Sequence, residues 1–123
     1  MKHYMNLCPK PFEMIRSGKK TIELRLNDEK RKAISVGDTI VFTNTQDNSR
    51  QISATVTALH KFRNFAELYS NLPLSKCGYT EDDIDSAKPE DMNVYYSKEL
   101  EEKYGALGIE LAVDYTVDNC KED

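Results

Sequence analysis

An α+β fold is what this sequence predicts: a small, partly open, mostly antiparallel β-barrel carrying three or four short helices. Three observations carry that expectation. Five short stretches alternate apolar and polar side chains at the two-residue period of a strand that buries one face. Glycine and proline turns separate the stretches, and the segments between them begin with helix-capping residues. Curling such a sheet towards a barrel pairs its strands and reduces exposed edges.

Residues 4–7 read as the first strand, ended by Cys8-Pro9 and Lys10-Pro11, because a residue before proline is pushed out of helical geometry. Pro11 suits a first helical turn, Phe12 and Ile15 share one face, and Gly18 is placed to stop the helix in a left-handed cap. Over residues 21–26, Ile22, Leu24 and Leu26 take one face of a strand while Thr21, Glu23 and Arg25 take the other. The charged run 27–34 is a single helical turn or an exposed loop. Val36-Gly37-Asp38 is a turn signal before the strand 39–44. Polar residues 45–50 then close a hairpin onto the return strand 51–59, where Ile52, Ala54, Val56 and Ala58 alternate with Ser53, Thr55 and Thr57.

In the second half, Asn64 can cap a helix that Glu67 reinforces by reaching back and that Pro73 stops. Residues 74–79 read as loop, and 80–87 as an acidic helix candidate capped by Thr80. Ser97 caps a firmer helix through Tyr104, with Gly105 as its terminator. The last strand, 106–113, puts Leu107, Ile109, Leu111 and Val113 on one side. At 123 residues the chain is one domain, 1–117, with 118–123 a frayed tail, and it is long enough to bury a core without disulfides.

Charge is unevenly spread around the net −4. Residues 1–32 sum to +5, 33–63 to +1 and 64–123 to −10. A basic first half can present a local positive surface although the whole chain repels polyanions at long range. Cys8, Cys77 and Cys120 are odd in number and widely spaced, which fits neither a disulfide framework nor a metal site. The N-terminal stretch lacks the apolar run of a signal peptide, and nothing is long enough to span a membrane, so a cytoplasmic protein is expected. No nucleotide-binding loop or nucleophile elbow is present, and nothing compels a cofactor or a metal. His3 and His60 have no second ligand at metal spacing, and Tyr95 and Tyr96 read either as base-stacking groups or as edges of the core.

The leading site candidate is the polar row beside the glycine turn: Lys19, Lys20, Thr21, Glu23 and Arg25. A lysine beside an arginine can act as a base, a glutamate between two cations stays ionised, and Arg25 can clamp a phosphate or carboxylate. The alternative is an ion-pair ladder on a solvent-facing strand, and the residues alone leave both open.

The run PFEMIRSGKKTIELRLNDEKRKAISVGDTIVF, together with YYSKELEEKYGALGIEL near the end, resembles the ASCH domain of the PUA-like superfold, in its single-domain bacterial type. That resemblance implies a PUA-like barrel with a cleft beside the first helix. It also implies RNA or a nucleoside-like small molecule as partner. One bacterial branch of the family hydrolyses the acetyl amide of N4-acetylcytidine, and other members are associated with ribonuclease activity. Lys20 matches that branch's catalytic lysine and Arg25 its motif arginine. The branch's nucleophilic threonine falls at Glu23, and its catalytic glutamate has no matched position, with Glu67 the candidate. Expected first, therefore, is a binding module that uses Lys19, Lys20, Thr21, Glu23 and Arg25. The alternatives are a small hydrolase acting through Lys20 and Glu23, and an adaptor that binds proteins through the acidic half.

Overall fold

All five expected strands form in the computed structural model, which describes residues 1–115: β1 (Lys2–Leu7), β2 (Ile22–Leu26), β3 (Thr39–Asn44), β4 (Gln51–Phe62) and β5 (Ala106–Val113). They make one sheet in the order β1-β3-β4-β5-β2. Three of its four neighbouring pairs are antiparallel, and the sheet curls into a half-barrel. The exception is β1, which runs parallel to β3; the intervening helices and β2 supply the long crossover that parallel pairing needs. β4 runs three residues beyond the expected end at 59, with its register to β5 shifting between Val56 and Ala58.

Four α-helices fill the connections: α1 (Pro9–Arg16), α2 (Glu29–Lys32), α3 (Phe65–Asn71) and α4 (Lys98–Tyr104). Asp28, Asn64 and Ser97 each accept a backbone N–H at the start of α2, α3 and α4. α1 has no such side-chain cap; two prolines stand in its first turn, and Phe12 and Ile15 bury its inner face. Gly18 follows at φ +84, the left-handed geometry expected of it.

One helix expectation fails. Residues 80–87 form turns and a short 3-10 segment, Ile84–Ser86, in place of an α-helix. The Asp83 carboxylate accepts from both the backbone N–H and the hydroxyl of Thr80, as at a helix start, but the chain is already extended at Ala87 and Lys88 ahead of Pro89, which leaves no room for a helical ladder. Two more 3-10 segments, Leu74–Lys76 and Pro89–Val94, complete this loop-rich region. The expected tail, 118–123, lies outside the described residues.

Two apolar clusters sandwich part of the sheet. The inner one gathers Phe12, Ile15, Phe42, Ile52, Leu107 and Ile109 among others. The outer one holds Ile22, Leu24 and Leu26 of β2 against Phe65, Leu68 and Met92. Because Glu23 lies opposite Ile109 and Arg25 opposite Leu107, the polar face of β2 turns towards the inner side of the half-barrel. That removes the solvent-facing ladder: Glu23 is only 4 % exposed.

Candidate functional site

The site begins where the chain leaves α1. After Gly18, the Lys20 N–H donates to the Met14 carbonyl at 3.0 Å and the Thr21 N–H to the Lys76 carbonyl at 2.9 Å. These bonds tuck Lys20 between the helix and the loop that follows α3. Its stem lies against Gly78, where an added Cβ would sit 3.4 Å from Lys20 Cδ at a backbone φ of +110. A side chain at position 78 would therefore be strained and would crowd the lysine.

Three charged side chains then converge. Lys20 Nζ is 2.8 Å from Glu23 Oε1, and Arg25 Nε is 2.6 Å from Glu23 Oε2. Each carboxylate oxygen of Glu23 thus faces its own cation. Arg25 also donates from Nη2 to the Asn6 carbonyl at 3.0 Å. That bond joins β2 to β1, the two strands at the ends of the sheet, across the open side of the half-barrel. Burial is the largest influence on Glu23 and works to raise its pKa, but the combined pull of Lys20 and Arg25 outweighs it and holds the carboxyl below its ordinary value. Glu23 is thus an ionised carboxylate in a dry place, kept so by two cations.

A cavity of about 490 Å³ opens over this triad, within the usual range for small-ligand pockets. Asn6 of β1, Cys8 in the connection and Met14 of α1 line it on one side, and four tyrosines, Tyr69 of α3 with Tyr79, Tyr95 and Tyr96 from the region beyond it, close it. Its charged lining is balanced, with Lys10, Lys20 and Arg25 against Glu23, Asp83 and Asp91.

The tyrosine wall has its own order. Tyr79 Oη donates to Asp91 Oδ2 at 2.6 Å, and Tyr69 Oη lies 2.7 Å from Tyr79 Oη. Burial, followed by the bond to Asp91, pushes the Tyr79 hydroxyl far above its usual range, while that same bond holds Asp91 low. Tyr96 stacks almost parallel to the core ring of Phe65, with centroids 6.1 Å apart, and burial raises its pKa. Tyr95, by contrast, is 72 % exposed. Cys77 is a buried thiol raised to about 11 by burial, which keeps it protonated and unreactive at neutral pH.

Of the five residues expected at the site, Lys20, Glu23 and Arg25 come together in the cavity. Lys19 is exposed and Thr21 half-buried, and neither lines it. Glu67 accepts the Arg63 N–H at 2.8 Å and serves the start of α3, away from the cavity. His3 is buried against Asp38 at 2.8 Å, the first of the bonds that bring Asp38 down to about 2, and His60 pairs with Glu110 at 2.9 Å. Among the described residues no three His, Cys, Asp or Glu side chains gather as a metal cluster. Tyr69, Tyr79 and Asp91 were not foreseeable from spacing. They are ten and twelve residues apart and are brought together by the turn at Gly78 and the 3-10 segment from Pro89.

Comparison with known proteins bears on the family and the fold. The family profile described as the ASCH domain matches residues 5–113. The crystal structure of the hypothetical protein PH0355 superposes with a TM-score of 0.76 at 29 % identity, covering 93 % of this chain and 100 % of that one. The solution structure of PF0455 from Pyrococcus furiosus gives 0.70 at 29 % identity, covering 92 % and 97 %. The crystal structure of ASCH from Zymomonas mobilis shares the fold, with a TM-score of 0.63 at 18 % identity over 90 % of this chain and 66 % of that one. Among curated proteins, none matches significantly.

Proposed function

Since the chain belongs to the ASCH-domain family, an RNA-binding-like family, we propose that the cavity takes a nucleobase, as a free nucleoside or as an unstacked nucleotide of single-stranded RNA. The observation that carries this reading is the charge-balanced cavity walled by tyrosines and floored by Lys20, Glu23 and Arg25. A bare phosphate would find Lys20 and Arg25 already paired with Glu23 and two further carboxylates, Asp83 and Asp91, on the same lining. Arg25 spends one N–H at Nε on Glu23 and one at Nη2 on Asn6, and its remaining donors are left for the acceptors of a base edge. A neutral polar ring suits such a place, and single-stranded RNA is read by stacking and base-edge contacts of this kind. Exposed Tyr95 offers its face to the ring, and exposed Lys19, outside the cavity, serves a backbone phosphate.

Titration with short single-stranded RNA at low salt tests this. Tyr95→Ala, at an exposed position, is expected to weaken binding about tenfold while leaving the unfolding temperature unchanged. Equal affinity in the variant and the parent chain would remove the stacking role. A hydrolytic reading has one geometric feature in its favour, the 2.8 Å Lys20–Glu23 contact. It asks both Glu23 oxygens, already held by cations, to activate water. Acetate release from N4-acetylcytidine would establish it, and Lys20→Ala would then abolish turnover.

A further inference from the structure

Tyr69, Tyr79 and Asp91 all line the cavity and form a chain of hydrogen bonds whose direction can be worked out. A tyrosine hydroxyl has one proton to give. Tyr79 gives its proton to the Asp91 carboxylate at 2.6 Å, and Asp91, held below its ordinary value chiefly by this bond, has no proton to return. The 2.7 Å contact between the two hydroxyls is therefore made by the Tyr69 proton, pointing at Tyr79. Both protons run towards Asp91, so what remains on Tyr69 and Tyr79 is lone pairs. Asp83, also on the lining, spends one carboxylate oxygen on Thr80 and adds further acceptor capacity. Lys20, in the turn before β2, and Arg25, on β2, also line the cavity and carry donors only.

We propose that Tyr69, Tyr79 and Asp91 form an acceptor-only wall that makes the cavity select nucleobases bearing an exocyclic amino group over their oxo counterparts. The proposal rests on the nucleobase reading and deepens it. An amino group brings two N–H bonds to neighbouring acceptors. An oxo base brings a single ring N–H flanked by carbonyl lone pairs, which face the wall's own lone pairs and are left unsatisfied. The carbonyl and ring-nitrogen acceptors that amino bases also carry are served by Lys20 and Arg25.

Calorimetric titration with two matched pairs, cytidine against uridine and adenosine against inosine, separates an amino preference from a preference for ring size. The amino member of each pair is expected to bind about tenfold more tightly, the margin of one hydrogen bond to a charge-coupled acceptor. Tyr79→Phe frees the Tyr69 proton to donate, so the ratio within each pair should fall towards one. Tyr69→Phe removes the outer acceptor and should lower the ratio too, and it keeps the test decisive if Tyr79→Phe fails to fold. Binding without discrimination in the parent chain, or an unchanged ratio in a folded variant, overturns the wall while leaving nucleobase binding standing. Binding of none of the four nucleosides overturns the nucleobase reading and the wall together.

Discussion

The two faces of β2 are both buried, yet by opposite means. Ile22, Leu24 and Leu26 pack into the outer apolar cluster, where removing apolar surface from water is the stabilising force. On the other face Glu23 and Arg25 lie opposite Ile109 and Leu107, and charge is kept out of water there only because each ion has a partner. The apolar face would tolerate any well-packed filling. The charged face is costly to maintain, and the proposed function assigns that cost to what the cavity binds.

The sharpest way to break this comparison is to damage each face separately. Phe65→Ala, which opens a void under the apolar face, should cost about 3–5 kcal/mol in urea unfolding. Arg25→Met leaves Glu23 with Lys20 alone and should cost somewhat less, about 2–4 kcal/mol, because the arginine side chain is still 14 % exposed. Replacing the whole triad, Lys20→Met with Glu23→Leu and Arg25→Met, should leave stability within about 1–2 kcal/mol of the parent chain or raise it. The same triple variant should lose RNA binding. A triple variant that unfolds would mean that the charges hold the sheet together, with no need of a ligand to explain them.

How much of this was legible in the sequence follows from the same two faces. Alternation placed all five strands and the division of β2 into its faces, and the capping residues at Asn64 and Ser97 marked two helices correctly. What alternation could not tell was that a second apolar layer, built from α3 and the 3-10 segment around Met92, would cover the outer side of β2 and leave its charged face turned inward. The parallel pairing of β1 with β3 was hidden for a similar reason, since it depends on a crossover and not on local pattern. The tyrosine wall left no periodic signal at all. The turn at Thr80 and Asp83, which read as a helix start, is what shapes that region instead.

A smaller effect sharpens the electrostatic half. Glu23 has a folded pKa below its unfolded one, so its contribution to stability is fully present above the unfolded value near 4.5 and is lost as pH falls through the lower folded value. Urea unfolding followed from pH 6 down to pH 3 should therefore show a shallower decline in Glu23→Gln than in the parent chain; parallel curves would contradict an ionised Glu23. The smallest effect belongs to the exposed flank. Lys19→Ala should leave stability unchanged and lower the salt dependence of RNA binding by about one counterion, read from the slope of affinity against salt.

The claim that the triad and the tyrosines share one ligand is tested most directly by mapping backbone and side-chain NMR shifts during a cytidine titration. Concerted shifts at Arg25 Nε, Gly78, Tyr79 and Tyr95, all following one binding curve, are the predicted result. Shifts confined to the surface around α2 and α4, with Arg25 and Tyr79 unmoved at saturation, would contradict it.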